Sequence, residues 1–149
     1  MISDKKIDVK IRPMEPEDIE GILAIDRKIT GEQRALTYRD LVRDYLGGQI
    51  EFSLVAEVEN RMVGFVLAYV TYVAEKVSKA CVIHILGVDP DYGRQGIATK
   101  LVQAQLEQCR SSEIQQVRVM VEERDHQLQD FFKHAGFSRS PFIVYSKAP

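Results

Sequence analysis

The stretch from Val88 to Val102, VDPDYGRQGIATKLV, gathers the residues of this chain best suited to chemistry. Pro90 has no N–H and marks the end of a strand, whereas every residue from Gly93 to Thr99 keeps its own. Several of those amides fall in the first turn of a helix, which has no internal partner for them. Gly96 has no side chain to obstruct an approaching ligand, and Ala98 almost none. Free amides and the positive end of a helix dipole then converge on one point, an arrangement suited to a phosphate or pyrophosphate. Arg94 and Lys100 add flexible positive charge beside it. An ordinary helix start with a turn glycine would use the same residues, so the rest of the chain has to support the reading. Two familiar phosphate loops do not fit. The Walker pattern needs Gly-Lys followed by Ser or Thr, and the dinucleotide fingerprint needs GxGxxG after an early strand, whereas this strand comes fourth.

The elements that must position this loop are legible on both sides of it. Residues 8–13 read as a first strand, and Glu15-Pro16-Glu17-Asp18 opens a helix with proline near its start and acids in its first turn. Ile19, Ile22, Leu23 and Ile29 supply its apolar side. Thr37 can cap a second helix carrying Leu41, Val42 and Tyr45, with Gly47-Gly48 to stop it. Residues 52–58 and 62–73 are strands around the short turn Glu59-Asn60-Arg61, and the second is apolar on both faces, as a covered central strand should be. Residues 80–88 form another such strand, and the opening motif follows it directly. Ala98, Leu101, Val102, Leu106 and Cys109 recur at helical spacing, residues 115–121 alternate as a strand, and Leu128, Phe131, Phe132 and Ala135 mark a helix that Asp125 can cap and Gly136 can end. Residues 142–145 close the series as a last strand. The order β-α-α-β-β-β-α-β-α-β predicts an α/β or α+β sandwich, a mixed sheet with helices on its faces, and a parallel crossover between residues 80 and 121.

The chain has 149 residues, read as one domain spanning 1–149, and a formal net charge of −2, which gives no global attraction for nucleic acid or an anionic membrane. No apolar stretch approaches the ~18 residues of a spanning helix, and the start MISDKKIDVK is too polar for a signal peptide, so the expected compartment is cytoplasmic. Cys81 and Cys109 form no CxxC pair and the three histidines are scattered, so neither a disulfide framework nor a metal site is expected. The two thiols read as reduced and buried.

In this register the chain resembles the GNAT N-acetyltransferase superfamily. Its loop pattern is approximately V-x-P-x-[YF]-[QR]-x-x-G-[IVL]-[GA]-x-x-L, and Val88, Pro90, Tyr92, Gly96, Ile97, Ala98 and Leu101 fall on it. Gly93 stands where Gln or Arg is usual, which removes a side-chain contact but no backbone donor. IRPMEPEDIEGILAID is similar to the family's opening strand and helix, SLVAEVENRMVGFVLAYV to its hairpin, and VEERDHQLQDFFKHAGF to its N-x-x-A-x-x-x-Y-x-x-x-G-F segment. In that last segment Asp125 replaces Asn, Leu128 replaces Ala, and Phe132 occupies the tyrosine position. The resemblance implies an acyl-CoA acyltransferase fold with a centrally splayed sheet. The pantetheine arm of acetyl-CoA would lie in the splay, held by backbone groups of Leu86, Gly87 and Val88. Arg94, Gln95, Gly96, Ile97, Ala98 and Thr99 would hold the pyrophosphate, and Asp125 would lie beside the arm.

The implied reaction is attack of an amine on acetyl-CoA, with no metal. A lysine-like ammonium of pKa ~10.4 is neutral about once in 2,500 molecules at pH 7, a penalty of roughly 4.6 kcal/mol, so a base matters. An α-amine of pKa ~7.7–8.0 needs much less help, and the departing thiolate is already a tolerable leaving group. Many relatives use the tyrosine as acid, which Phe132 cannot do; Tyr145 and Tyr72 are substitutes. The glutamate that serves as base in ribosomal-protein N-terminal acetyltransferases corresponds to Met120. Glu122, two residues on, and His84, interrupting the apolar strand VIHILGV, are the candidate bases; a solvated strand end and a hydrogen-bonded core histidine are their plainer readings. His126 and His134 read as helix-surface residues. The acceptor is an amine-bearing protein, peptide or small molecule, with a lean to a protein lysine or N-terminus, in a pocket formed by residues 29–38 and 74–79. A non-catalytic acyl-CoA sensor is the second class, and a homodimer is compatible with either.

Overall fold

The structure is a computed structural model and describes residues 7–31, 52–73 and 78–149. Five strands form one sheet in the order β1 (Val9–Pro13), β2 (Leu54–Val58), β3 (Arg61–Val73), β4 (Ser78–Val88) and β5 (Gln116–Val119). The first four pair antiparallel and β4 pairs parallel with β5, so the expected mixed sheet is present. The described helices are α1 (Ile19–Thr30), α2 (Ile97–Ser111) and α3 (His126–His134). The predicted helix on Thr37, Leu41, Val42 and Tyr45, and most of the predicted acceptor pocket, lie outside the described residues.

Alternation along the strands separates two apolar layers. Val55, Phe65 and Leu67 pack with Met14, Ile22 and Ile25 under α1. Leu54, Ala56 and Val66 pack on the other face with Ile97, Leu101 and Val102 of α2 and Phe132 of α3. The centre of β3 is buried continuously from Val63 to Ala68, which is why its sequence shows no polar face. A third cluster, of Phe52, Ala68, Cys81, Cys109 and Ile114, lies under the C-terminal end of α2.

Local signals account for most boundaries. Glu15 and Asp18 form a reciprocal capping box, but Pro16–Asp18 is a 3-10 turn and the α-helix begins at Ile19. Arg12 fastens that turn to the sheet. It donates to both Asp18 carboxylate oxygens at 2.7 and 2.8 Å and to Glu57 at 2.7 Å. Burial raises the Asp18 carboxyl, yet the Arg12 guanidinium and the Glu15 amide outweigh it and hold the group below its ordinary range. Gly31 ends α1 with φ +74, its amide returning to Arg27 at 2.8 Å.

Ile29, in the last turn of α1, is 47% exposed, yet its Cδ1 lies 3.2 Å from where a Cβ on Gly87 of β4 would stand, so it keeps to the sheet side of the helix. Two expectations differ from the structure. The strand predicted over residues 115–121 is shorter, Gln116–Val119, so Val121 and Glu122 lie beyond its end. Residues 142–145 are not a strand: the run has strong β-formers but makes no ladder among the described residues, and Phe142, Ile143, Val144 and Tyr145 are all exposed.

Candidate functional site

The site begins where β4 and β5 part. Their parallel register runs Ala80–Gln116, Cys81–Val117, Val82–Arg118 and Ile83–Val119, and stops there. β4 continues for five more residues, laddered to β3 through Ile85, Leu86, Gly87 and Val88. Between Ile83 and Ile85 it carries one extra residue, His84, opposite the adjacent pair Ala68 and Leu67. Such a bulge turns the strand at the point of parting. His84 is therefore an exposed residue beside the tilted Tyr69 ring, 6.5 Å between centroids, and not the core histidine that its apolar neighbours suggested.

Close packing fixes this half of β4. A Cβ on Gly87 would sit 2.7 Å from Phe65 Cζ, and one on Gly64 would sit 3.1 Å from Ile97 Cγ2. Both glycines let the first turn of α2 and the adjoining strands approach more closely than any side chain would allow.

After Val88 the chain makes a 3-10 turn, Pro90–Tyr92, capped by Asp89, whose Oδ1 accepts from the Asp91 amide at 2.9 Å. The Asp89 amide donates to Val63 O at 2.8 Å, and Lys28 of α1 reaches its carboxylate at 3.0 Å and that of Asp91 at 3.0 Å. Burial raises the Asp89 carboxyl, but the Asp91 amide and the Lys28 ammonium together bring it below the ordinary value. This anchor is not legible in the sequence. Asp-Pro at a strand end signals a capped turn, but nothing local points to a lysine sixty-one residues away.

The loop then opens toward solvent. Gly93, Arg94, Gln95 and Gly96 are all exposed, with Arg94 at φ +62 and Gly96 at φ +76. Gly96 is the N-cap of α2 and offers no side-chain hydrogen bond, and nothing lies within 4 Å of where its Cβ would be. The first bond across the mouth is Lys100 N to Gly96 O at 3.0 Å, so the amides of Ile97, Ala98 and Thr99 precede the helical ladder. Backbone N–H groups ahead of the helical ladder, the positive end of the helix dipole and the exposed Arg94 and Lys100 thus lie together at the start of α2, the chemistry that suits an anion. Gly93 has φ −63, an ordinary value, so the loop does not depend on glycine there.

Across the splay, Glu122 is exposed in the turn after β5, its carbonyl accepting from Asp125 N at 3.0 Å and Gln129 Nε2 at 3.1 Å. The strand needed to put it on the same face as Met120 does not extend that far. Asp125 caps α3, accepting from Leu128 N at 3.0 Å, so one carboxylate oxygen already has a structural task. Phe132 is buried, edge-on to Phe131 and Phe137 at 5.1 Å each, the packing role its spacing suggested. Tyr72 and Tyr145 are both exposed. Cys81 and Cys109 are buried as expected, with Gln105 Nε2 3.6 Å from the Cys81 sulfur. The neighbouring Cys109 sulfur and burial push the Cys81 thiol well above its usual range, which makes it a poor nucleophile. Among the described residues no cluster of three metal-ligating side chains occurs, and no helix is long and apolar enough to cross a membrane. An open hollow at the C-terminal end of α2, bordered by Leu106, Cys109, Arg110, Ile114 and Val117, contains neither candidate base and no residue of the loop before α2.

The family profile for acetyltransferases of the GNAT type matches residues 19–137. The chain belongs to the acetyltransferase (GNAT) family. Solved GNAT folds superpose on nearly all of it. The aminoglycoside N-acetyltransferase AAC(6')-Iy, in complex with CoA, aligns with a TM-score of 0.80 at 14% identity over 99% of each chain. An aminoglycoside acetyltransferase from an uncultured soil metagenomic sample, in complex with sisomicin, gives 0.76 at 20% identity over 95% of each. Ard1 from Thermoplasma volcanium gives 0.74 at 25% identity, covering 89% of this chain and 84% of that one. No curated protein matches by sequence. In this GNAT chain the splay, the bulge at His84 and the open start of α2 adjoin one another along a single strand–loop–helix path.

Proposed function

We propose that this chain transfers an acetyl group from acetyl-CoA to an amine by direct attack in a ternary complex. The observation that carries the reading is the end of the β4–β5 ladder at Ile83 and Val119, while β4 runs on to a helix mouth left without a side-chain cap. A ligand with a diphosphate at one end and amides along its arm fits that pair of features. Arg94, Gln95, Gly96, Ile97, Ala98 and Thr99 would grip the diphosphate. Backbone groups of Leu86, Gly87 and Val88 would pair with the pantetheine amides as an added strand would, with Asp125 beside the arm.

In the reaction the amine nitrogen forms a bond to the thioester carbonyl carbon, the C–S bond breaks, and CoA leaves as a thiolate. The amine's proton passes to a base, directly or through water. Of the two candidates, His84 has the better support, because the bulge carries it at the parting of the strands, whereas Glu122 lies past the end of β5. Phe132 supplies no proton to the thiolate, which is consistent with a leaving group stable enough to depart unassisted. A protein lysine or N-terminal amine is the acceptor class proposed first, and a small amine second, in a cytoplasmic setting.

The test is release of CoA thiol when the protein and acetyl-CoA are offered lysine peptides, free N-terminal peptides, polyamines and aminoglycosides. Turnover with one class identifies the acceptor. Tight acetyl-CoA binding with no turnover on any acceptor would replace the enzyme by the sensing module, a reading that the aromatic packing of Phe132 favours. His84→Ala should lower kcat more than it raises KM for acetyl-CoA.

A further inference from the structure

The apolar layer between α2 and the sheet contains one polar group that packing alone does not explain. Gln105 of α2 is fully buried, and among the described residues its Oε1 accepts no hydrogen bond. Burying an amide with an unpaired oxygen costs stability that an apolar side chain would not. Its Nε2 instead faces two sulfurs, that of Cys81 on β4 at 3.6 Å and that of Cys109, one helical turn on, at 4.0 Å. One amide nitrogen reaches both because the thiols meet across the helix–sheet contact, inside the cluster with Phe52 and Ile114. There the Cys81 thiol donates to the Cys109 sulfur.

The two sulfurs are not equivalent. Cys109 stands in the last turn of α2 and borders the open hollow with Leu106, Arg110, Ile114 and Val117, whereas Cys81 lies in the sheet beneath it. The Cys81 S–H and the Gln105 amide hold the Cys109 thiol below its ordinary range in spite of burial, and the same contact keeps the proton on Cys81. We propose that Cys109 and Cys81 form a redox-modification site, in which a hydroperoxide entering by the hollow oxidises Cys109 and Cys81 then closes a disulfide. In the first step the Cys109 thiolate attacks a peroxide oxygen. An S–O bond forms as the O–O bond breaks, and the departing hydroxide takes up a proton to leave as water. Cys109 is then an uncharged sulfenic acid, so the negative sulfur that held the Cys81 proton is gone. The Cys81 sulfur attacks the sulfenic sulfur, the S–O bond breaks, and a second water carries away the Cys81 proton. Two thiols have lost two electrons and the peroxide has gained them. The new bond would tie the last turn of α2 to β4 two residues before Ile83, where the ladder with β5 stops.

The chain has only these two cysteines, so the outcome can be counted. Hydrogen peroxide in modest excess over the full chain should take the free thiols, titrated after denaturation, from two to none. The mass should fall by two hydrogen atoms, the chain should still migrate singly on a non-reducing gel, and digestion should yield a peptide joining positions 81 and 109. Dithiothreitol should restore both thiols. The order of the steps is read in two variants. Cys81→Ser should stop at a sulfenic acid on Cys109 that dimedone traps, whereas Cys109→Ser should leave Cys81 unlabelled. Two thiols that survive peroxide, a gain of oxygen with no disulfide, a disulfide that joins separate chains, or dimedone on Cys81 in place of Cys109 would each overturn the proposal. The first three are read on the unaltered chain, so they stand even if a variant misfolds. None of these readouts depends on acetyl-CoA or on the acceptor, since the thiols lie at the far end of α2 from Gly96.

Discussion

Helices α2 and α3 pack on the same face of the sheet and share one apolar cluster, yet their first turns are finished in opposite ways. At α3, Asp125 closes the mouth with its own carboxylate and Gln129 ties the preceding carbonyls of Glu122 and Glu123 at 3.1 and 2.7 Å. At α2 the N-cap is Gly96 in a left-handed conformation, and the loop before it stands open with Arg94 also at positive φ. A side-chain cap is worth about 1 kcal/mol, and a non-glycine residue in the left-handed region costs about 1–2 kcal/mol. One mouth is built for stability. The other forgoes that stability and keeps its donors facing solvent, which is the pattern of a site whose missing cap is a ligand.

The largest expected effect breaks the open mouth. Gly96→Glu should lower acetyl-CoA affinity by more than about 100-fold, equivalent to about 2.7 kcal/mol, because a carboxylate would stand where the diphosphate is proposed to bind. The fold should survive, since nothing lies within 4 Å of the new Cβ. Gly96→Ala carries the same backbone strain without charge or reach, and titration calorimetry on the pair separates the two causes. Unchanged affinity in Gly96→Glu would remove the distinction between the mouths as a functional one.

Next in size is Gly87→Ala, which tests what holds the open mouth in place. The added methyl would lie 2.7 Å from Phe65 Cζ and 3.2 Å from Ile29 Cδ1, with Phe65 fully buried and unable to yield. Overpacking of this kind should lower unfolding free energy by about 1–3 kcal/mol in a urea titration. A neutral result would mean that β4 and β3 can part there at little cost.

These two glycines also mark how far the sequence could be read. Gly96 was legible because a glycine before a helical run is a local signal, and its loop lay in register with a known pattern. Gly87 was legible only as part of that resemblance, since its reason is Phe65 across the ladder, a partner fixed by tertiary structure. The exposure of His84 and the absence of a strand in the last segment were not legible for a related reason. An apolar run announces a strand but says nothing of a bulge within it, and FIVY announces β-propensity without saying whether an edge is available. Asp125 and Phe132 were read correctly because caps and i, i+4 packing are settled within one helix.

At the closed mouth the expected change is smaller. Asp125→Ala should cost about 1 kcal/mol of stability by losing the bond to the Leu128 amide, and Asp125→Asn should recover most of it. Its effect on acetyl-CoA affinity should stay well below that of Gly96→Glu in the same calorimeter. An equal loss would show that the carboxylate serves the ligand more than the helix, and the contrast between the two mouths would narrow.

The smallest effect concerns the approach to the open mouth, where Lys28 holds Asp89 and Asp91. The Asp89 carboxyl lies below its ordinary value in the folded chain, the buried-site penalty being outweighed by the Asp91 amide and Lys28. Its contribution to stability is therefore present above the unfolded value of about 4 and lost as pH falls through the folded one. The Lys28 ammonium is raised by the same two carboxylates, so its contribution is intact below its ordinary alkaline range and is lost only above it. Between those limits the pair is intact, and Lys28→Met should unfold at slightly lower urea concentration than the parent at pH 7. That gap should begin to narrow as pH falls below about 4 and close once pH has passed the lowered folded value, where protonated Asp89 no longer distinguishes ammonium from methyl thioether. A gap that persists in acid would assign it to lost packing of the lysine stem, and the ion pair would then do nothing to set the loop that leads into α2.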